Sequence, residues 1–177
     1  MTTKRNVGTK LVRSASLALA IILTTGIIWN IYSQMKQTRQ ELLEQSRVLA
    51  AQVLAIRKVV AENQDKINYD SKGHFEFKHL NPAAMVKLIS AEFNISTDYH
   101  IRQVSLNPRG TDHMPDNFER EQLLRFQDKL PGEGEAWGED FLNGKKYFRY
   151  MIPLYIEASC LPCHGHPKGE LDISGNP

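Results

Sequence analysis

The fold is decided by the stretch Trp137-Gly-Glu-Asp-Phe-Leu-Asn143-Gly144-Lys-Lys-Tyr-Phe-Arg-Tyr-Met-Ile-Pro-Leu-Tyr-Ile156. Aromatic and β-branched side chains, which favour strands, are dense around its central Asn-Gly pair. Asn-Gly favours a type I′ turn, whose twist matches that of a two-stranded hairpin. We therefore predict an antiparallel hairpin with strands over residues 137–142 and 145–156.

Downstream, the hairpin leads to Cys160-Leu-Pro-Cys163-His164, which contains both cysteines of the chain. Cys-x-x-Cys-His is the attachment pattern of c-type haem. Two thiols add across the two vinyl groups, and the histidine that follows supplies the fifth iron ligand. We predict one covalently attached haem c (iron) per chain, held by Cys160 and Cys163, with His164 as the proximal ligand.

Other uses of a cysteine pair fit this sequence less well. A disulfide between residues three apart closes a small, strained loop. Thioredoxin-like chemistry needs the pair to open a helix in a βαβ unit. Here the pair follows a hairpin and precedes a tail rich in Gly and Pro. Zinc needs further ligands, and the chain has no second cysteine pair.

The ligand on the opposite side of the iron is left open by the sequence. The candidates are the other histidines and three methionines: His74, His79, His100, His113, His166, Met85, Met114 and Met151. His166 is too close to His164 along the chain to reach the opposite face easily. We favour His113 or His100, which border the segment 101–109. An open sixth site favours small-ligand sensing, and two strong ligands favour electron transfer.

Upstream of the hairpin, the sequence predicts first a turn and a helix. Asn68 to Gly73 has the composition of a turn. Asn81-Pro82 then begins a helix, with Asn as the N-cap and Pro at the first helical position. Its predicted apolar face consists of Met85, Leu88, Ile89 and Phe93.

A strand and a second helix are predicted next. Tyr99 to Leu106 alternates in the manner of a strand. Asp116, with Glu119 three residues later, resembles a capping box that opens a helix to about Lys129. Its predicted core residues are Leu123, Phe126 and Leu130.

Near the N-terminus, residues 14–35 carry no formal charge. A helix of this length spans about 33 Å, enough to cross the hydrocarbon core of a bilayer. Trp29 and Tyr32 lie at its far end, where an aromatic belt is expected. The basic residues are concentrated before it, at Lys4, Arg5, Lys10 and Arg13. We predict a single-pass anchor in the inner (cytoplasmic) membrane, with residues 1–13 in the cytoplasm and the rest in the periplasm or outside.

Two other interpretations of this apolar segment are weaker. Ala18-Leu-Ala20 has the small residues of a signal-peptide cleavage site, but most of the apolar run still follows it. Cleavage after Gly26 would leave a short apolar region and an apolar new N-terminus. A buried core helix is disfavoured because the segment is apolar on all faces.

Residues 36–63 form a charged helical stalk without Gly or Pro. Its apolar seam alternates spacings of four and three, at Leu42, Ser46, Leu49, Val53, Ile56 and Val60. Two interpretations are open. The seam packs on the domain of the same chain, or it forms a parallel homodimer.

The net charge of +2 comes from the N-terminus, because residues 14–177 carry 18 basic and 20 acidic side chains. Nucleic-acid binding requires a basic face, so we expect no nucleic-acid partner.

Three stretches resemble a known family: Ile101-Arg-Gln-Val-Ser-Leu-Asn-Pro-Arg109 with Pro115-Asp-Asn-Phe-Glu119, Tyr147-Phe-Arg-Tyr-Met-Ile-Pro-Leu154, and Cys160-Leu-Pro-Cys-His-Gly165 with Pro167. Over about residues 45–170 the chain resembles the PAS-like c-type haem domain. That domain of unknown function occurs in a cyanobacterial haem protein and in the extracytoplasmic part of sensor histidine kinases.

The resemblance implies a PAS-like antiparallel sheet with flanking helices over residues 64–177. Together with the N-terminal transmembrane helix continuing into a long helix, this gives an expected α+β fold. It implies a redox or gas sensor with a signalling output partner; the alternative is a membrane-tethered periplasmic electron carrier with a redox partner. We expect no enzymatic activity, because no distal Arg/His pair at peroxidase-like spacing is found.

Two features of that family have no counterpart in this chain. Some members use a cysteine on the long helix as the distal ligand, and this chain has no third cysteine. The family continues into a Gly-rich final strand beyond the haem motif. We therefore expect a C-terminally truncated domain, either a fragment of a larger receptor or a shortened gene product.

Overall fold

The computed structural model describes residues 3–108, 110–130, 133–142, 144–156 and 160. The elements are, in chain order, α1 (Thr3–Glu62), α2 (Gln64–Asn68), α3 (Pro82–Ser96), a short 3-10 helix (Thr111–His113), α4 (Asn117–Phe126), β1 (Ala136–Leu142) and β2 (Lys145–Met151). The chain divides into two compact units, Met1–Gln45 and Ser46–Pro177. The predicted α+β class is confirmed at this level.

The first unit contains the apolar part of α1. This is a helix long and apolar enough to cross a membrane, with a mean hydropathy of 1.9 in its most apolar window and none of that window buried. A signal sequence passes the same test of length and composition. The hydroxyls of Thr24 and Thr25 donate to the carbonyls of Ala20 and Ile21, each over 2.8 Å. Such internal pairing is required of polar groups within a lipid bilayer.

In the second unit, the end of α1 packs against its own chain. Val60 is buried, and Ser46, Leu49 and Val53 of the predicted seam are half-buried. Ile56 is exposed. The covered face is rotated from the predicted seam, because the half-buried side also includes Ala50 and Arg57. Packing within the chain accounts for the apolar pattern from residue 46 onward, and the homodimer stays a prediction.

The predicted turn and the start of α3 are confirmed. Gly73 has a φ of 80°, and Tyr69 and Phe75 form an isolated antiparallel bridge around the turn. The side chain of Asn81 accepts hydrogen bonds from the backbone N–H groups of Ala83 (3.0 Å) and Ala84 (2.9 Å). This arrangement satisfies two of the N–H groups that a helix start leaves unpaired.

The predicted apolar face of α3 is partly wrong. Leu88 is 56% exposed, whereas Val86, one helical position away from that face, is only 1% exposed. Val86 and Ser90 are the buried residues of the helix, and Met85, Ile89 and Phe93 are half-buried beside them. The buried face of α3 is therefore centred on Val86 and Ser90, and Leu88 lies outside it.

The predicted strand over Tyr99 to Leu106 is wrong. Within the described part of the chain, no strand lies beside this segment to pair with it. Its backbone instead bonds to the 3-10 helix, because the Ser105 N–H donates to the His113 carbonyl over 3.1 Å. The Gln103 side chain in this segment bonds to Arg57 on α1 and to the Ala83 carbonyl on α3, so side-chain contacts to helices hold the segment in place of backbone pairing with a strand.

The start of α4 is confirmed, and its predicted end is three residues too late. The Glu119 N–H donates to Asp116 Oδ1 and the Asp116 N–H donates to Glu119 Oε2, each over 2.9 Å, which completes the capping box. The helix ends at Phe126, which is buried. Leu123 is half-buried, whereas Leu130 lies past the helix end and is 66% exposed.

The hairpin is confirmed. Its register runs from Ala136 opposite Met151 to Leu142 opposite Lys145. Asn143 of the predicted turn lies outside the described residues. Gly144 has a φ of 77°, a conformation that glycine adopts without steric cost. The second strand ends at Met151 rather than Ile156. Within the described residues the sheet has two strands, and the larger PAS-like sheet stays a prediction.

Candidate functional site

The predicted haem motif lies mostly outside the described residues. Cys160 is described and half-buried, nine residues after the end of β2 at Met151. Cys163 and His164 lie outside the described residues, as does His166. Covalent attachment and the proximal ligand therefore stay predictions that rest on the sequence motif.

His113 is half-buried at the end of the 3-10 helix. Its Nδ1 lies 2.9 Å from the backbone carbonyl oxygen of Gln103. A carbonyl only accepts hydrogen bonds, so Nδ1 carries the proton and donates. In the neutral imidazole, the lone pair is then on Nε2. This is the arrangement by which proteins orient a metal-binding histidine.

His100, the other favoured candidate, is exposed. Its ring lies 6.4 Å from that of Tyr147, edge to face. Within the described residues no hydrogen bond to the His100 ring is found.

The remaining histidines in the described residues lie on the surface. His74 Nδ1 is 3.2 Å from Asp70 Oδ2, but its side chain is 75% exposed. The His74 backbone N–H also donates to Asp70 Oδ1. This hydrogen bond stabilises the ionised carboxylate and is the main reason why the pKa of Asp70 is below its usual value. His79 is exposed and has a φ of 58°. The centre of its ring lies 4.5 Å from the centre of the Phe77 ring.

Of the candidate methionines, Met85 and Met151 are half-buried, and Met114 is exposed.

Gln103 connects His113 to two helices. Its side-chain oxygen accepts a hydrogen bond from Arg57 on α1. Its side-chain nitrogen donates to the Ala83 carbonyl in the first turn of α3 over 3.2 Å. Sequence reasoning did not single out Gln103, although it lies in the segment 101–109 that carries the family resemblance. No local pattern signals its role, because all three partners are distant in sequence.

A second polar contact joins α1 to the hairpin. Arg47 Nε and Nη2 bind Glu135 Oε2 and Oε1 at 3.0 and 2.5 Å, and the Tyr150 hydroxyl donates to Glu135 Oε2 over 3.0 Å. The hydrogen bonds from Arg47 hold the pKa of Glu135 below its usual value. Burial, followed by the bond to Glu135, raises the pKa of Tyr150 to about 12. Arg47 on α1 is thereby linked to β2.

A cluster of charges lies between α4 and the hairpin. Arg149 on β2, with a side chain 15% exposed, donates to Asp116 Oδ2 (2.7 Å) and Asp140 Oδ2 (2.9 Å). Its Nη2 lies 3.2 Å from Glu119 Oε1, on a side chain 4% exposed. Burial opposes the charge of Arg149, yet its bonds to Asp116 and Asp140 raise its pKa overall. Its guanidinium also lies 4.6 Å from the ring centre of Phe118, a cation–π contact.

The same cluster reaches the segment that contains His113. Arg102 Nε lies 3.4 Å from Glu119 Oε1, and Arg102 Nη2 donates to the Met114 carbonyl over 2.6 Å. The loop beside His113, the start of α4 and β2 are therefore joined by one set of charged contacts.

A family model described as Tll0287-like matches residues 35–177. The chain belongs to the Tll0287-like family. No curated protein and no solved structure matches it.

The Tll0287-like region contains every candidate haem residue and leaves most of the apolar segment of α1 outside it. In the part of this region that the structure describes, no three His, Cys, Asp or Glu side chains lie close enough to hold a metal ion by themselves. The ring of His113, with its lone pair on Nε2, has the donor chemistry of a metal ligand.

Proposed function

We propose that this chain is a membrane-anchored c-type haem protein that acts as a redox or gas sensor module in signal transduction. The observation that carries the proposal is the motif Cys160-x-x-Cys163-His164. Its compartment supports the proposal, because c-type haem is attached outside the cytoplasm and α1 is long and apolar enough to cross a membrane. We propose a single-pass topology with the N-terminus inside and the haem domain in the periplasm or outside.

In this proposal Cys160 and Cys163 hold one haem c through thioethers, and His164 is the proximal iron ligand. When bound, the haem supplies an iron that changes oxidation state or takes up a small ligand. A half-buried Cys160 suits a cofactor that is partly enclosed by the protein. His113 or His100 is the distal ligand.

The sensor role is supported by the contacts between α1 and the rest of the domain. A sensor requires an element with different contacts in its two states. Arg47 and Arg57, both on α1, bind Glu135 and Gln103 respectively. Glu135 immediately precedes β1 of the hairpin, and the backbone carbonyl of Gln103 accepts a hydrogen bond from His113. A change in the position of the hairpin or of His113 would therefore alter the contacts that Arg47 and Arg57 of α1 make with Glu135 and Gln103.

The fold and partners are proposed on the same basis. We propose that the domain forms a PAS-like sheet, because the confirmed hairpin is its central feature and the segments of family resemblance surround it.

We propose pairing of two chains through residues 36–63, because Val48 and Val59 are 58% and 60% exposed on the side of α1 away from Arg57. The output partner is then a signalling protein that reads α1.

The test uses the full chain, matured by a host with cytochrome c assembly and held in lipid nanodiscs. Val59→Cys is spin-labelled, and distances between labels are compared with the haem oxidised, reduced and CO-bound. A label at Ile95, which is 82% exposed on α3, is the control for changes unrelated to α1. A shift at residue 59 in one state supports the sensor. Identical distances in all three states would defeat it and favour an electron carrier.

A further inference from the structure

We propose that Arg47, Glu135 and Tyr150 form a releasable latch that holds the near part of α1, residues 46–54, against the hairpin. When the latch opens, the near part of α1 separates from the hairpin while the end of the helix stays in place. The latch consists of described residues and does not involve the haem, so it goes beyond the proposed function.

The end of α1 is anchored by buried groups. Val60 is 8% exposed, and Arg57, which is half-buried, binds the Gln103 side chain. Just after the helix, the Gln64 side chain donates to the carbonyls of Val60 and Leu80, each over 3.0 Å. Leaving polar groups unpaired in partly buried surroundings is costly, so we expect these contacts to persist until the domain unfolds.

The near part of α1 is covered less well. The structure describes all of residues 46–54, and none of them is buried. Leu49, Ala50 and Val53 are half-buried. Because hydrophobic stabilisation is roughly proportional to the apolar area removed from water, the near part gains less from packing than the end at Val60. Its polar contacts with the hairpin therefore matter more.

The charges of the latch are partly open to water. The Arg47 and Glu135 side chains are 41% and 31% exposed, and the two contacts between them measure 3.0 and 2.5 Å. Two parallel contacts to a carboxylate fix its geometry. Dissolved salt, however, screens charges that water reaches, and pairs this exposed contribute little to the stability of a whole domain. The pair is thus specific enough to set a position and weak enough to open in the folded protein.

The carboxylate of the latch is fixed to the hairpin. The Tyr150 hydroxyl on β2 donates to Glu135 Oε2 over 3.0 Å, the same oxygen that Arg47 Nε binds. Gly134, immediately before Glu135, has a φ of 99°, and a Cβ placed on it would lie 3.4 Å from the ring of the buried Phe126. Glycine adopts such a φ readily, so the backbone takes this path without strain. Opening of the latch therefore moves Arg47 and α1, while Glu135 stays with the hairpin.

A helix that is anchored at one end and latched at the other can open locally, because contacts of different strength break at different free energies. Release of Arg47 uncovers the half-buried side of residues 46–54, while Val60 remains buried. The near part of α1 then has two arrangements relative to the hairpin, which is what a conformational switch requires.

The test measures amide hydrogen exchange in the full chain, matured by a host with cytochrome c assembly and held in lipid nanodiscs. Peptides from residues 46–54 report on the near part of α1, and peptides from residues 57–62 report on its anchored end. Raising the salt concentration from about 0.01 to 1 M should speed exchange in residues 46–54 about two- to fivefold, because salt screens the latch. Exchange in residues 57–62 should stay constant.

Two variants separate the latch from a general loss of stability. Glu135→Gln removes the charge and is expected to speed exchange in residues 46–54 about two- to fivefold and to abolish its dependence on salt. Tyr150→Phe removes only the hydroxyl that holds the carboxylate and is expected to act in the same direction by a smaller factor. Glu121→Gln, which breaks an exposed pair with Arg125 on α4, is the matched control and should leave residues 46–54 unchanged.

Three results would overturn the latch. One is equal exchange in the two segments of the parent chain at every salt concentration. Another is a parallel rise in both segments in Glu135→Gln, which would mean that α1 opens as one unit. The third is unchanged exchange of residues 46–54 in both variants. Each result is read from α1 alone, so failure of the latch is distinguishable from absence of covalent haem, which would defeat the proposed function.

Discussion

Arg47 on α1 binds Glu135, the residue immediately before β1, through two parallel contacts of 3.0 and 2.5 Å. Bidentate pairs of this kind fix geometry as well as charge. The Tyr150 hydroxyl donates to the same carboxylate over 3.0 Å, so the pair is linked to β2. This contact and the one between Arg57 and Gln103 link α1 to the domain.

Breaking the Arg47–Glu135 pair is expected to have a small but specific effect on stability. The two side chains are 41% and 31% exposed. A double-mutant cycle with Arg47→Met and Glu135→Gln should give a coupling free energy between about 0.2 and 1 kcal/mol, since solvent screens a pair this exposed. Urea unfolding of the detergent-solubilised chain measures it. The Lys58–Glu62 pair, at 3.8 Å and with side chains 73% and 60% exposed, is the control. Equal coupling in both cycles would contradict a special role for Arg47.

Removing Arg149 is expected to destabilise the domain much more. Arg149→Met leaves Asp116, Asp140 and the nearly buried Glu119 without their shared cation. Breaking a buried ion pair from one side costs about 3–5 kcal/mol. Arg125→Met is the matched control, because Arg125 pairs with Glu121 on an exposed helix face and should cost no more than about 0.5 kcal/mol. Similar urea midpoints for the two variants would show that the cluster contributes little.

Stability is expected to fall in acid, partly through Asp116. Burial opposes ionisation of this carboxyl, but the Arg149 side chain and the Glu119 N–H together hold its pKa below the usual value. A carboxyl with a lower pKa in the folded state stabilises that state above its unfolded pKa, and the contribution disappears as the pH falls through the folded pKa. The free energy of unfolding should therefore be steady from about pH 5 to 7 and decline below about pH 4.

The variant Asp116→Asn identifies the source of that decline. It should be less stable than the parent at neutral pH and should lose less stability between about pH 5 and 3. Asp128→Asn, at an exposed position after α4, is the control. If Asp116→Asn and the parent lost the same free energy on acidification, Asp116 would not be the group responsible.

The features that sequence reasoning predicted correctly are those whose chemistry is local. The hairpin turn at Gly144, the Asn81 cap and the Asp116–Glu119 capping box each depend on residues a few positions apart. The long N-terminal helix was equally clear, because an uninterrupted apolar run needs no partner to be recognised.

The features that sequence reasoning missed depend on distant partners. Tyr99 to Leu106 alternates like a strand, but a strand needs a neighbour to pair with. Leu88 and Leu130 have core-like side chains, yet the direction of α3 and the early end of α4 leave both exposed. Gln103 has no local signal, and its role follows only from contacts with Arg57, Ala83 and His113.

The most direct test of this account is the mass of the denatured protein. The full chain is matured by a host with cytochrome c assembly, denatured and analysed by mass spectrometry together with a haem stain of the denaturing gel. The expected mass is that of the polypeptide plus one haem per chain, and the added mass should be lost in the double variant Cys160→Ala, Cys163→Ala. A colourless polypeptide with no added mass in the parent chain would contradict it.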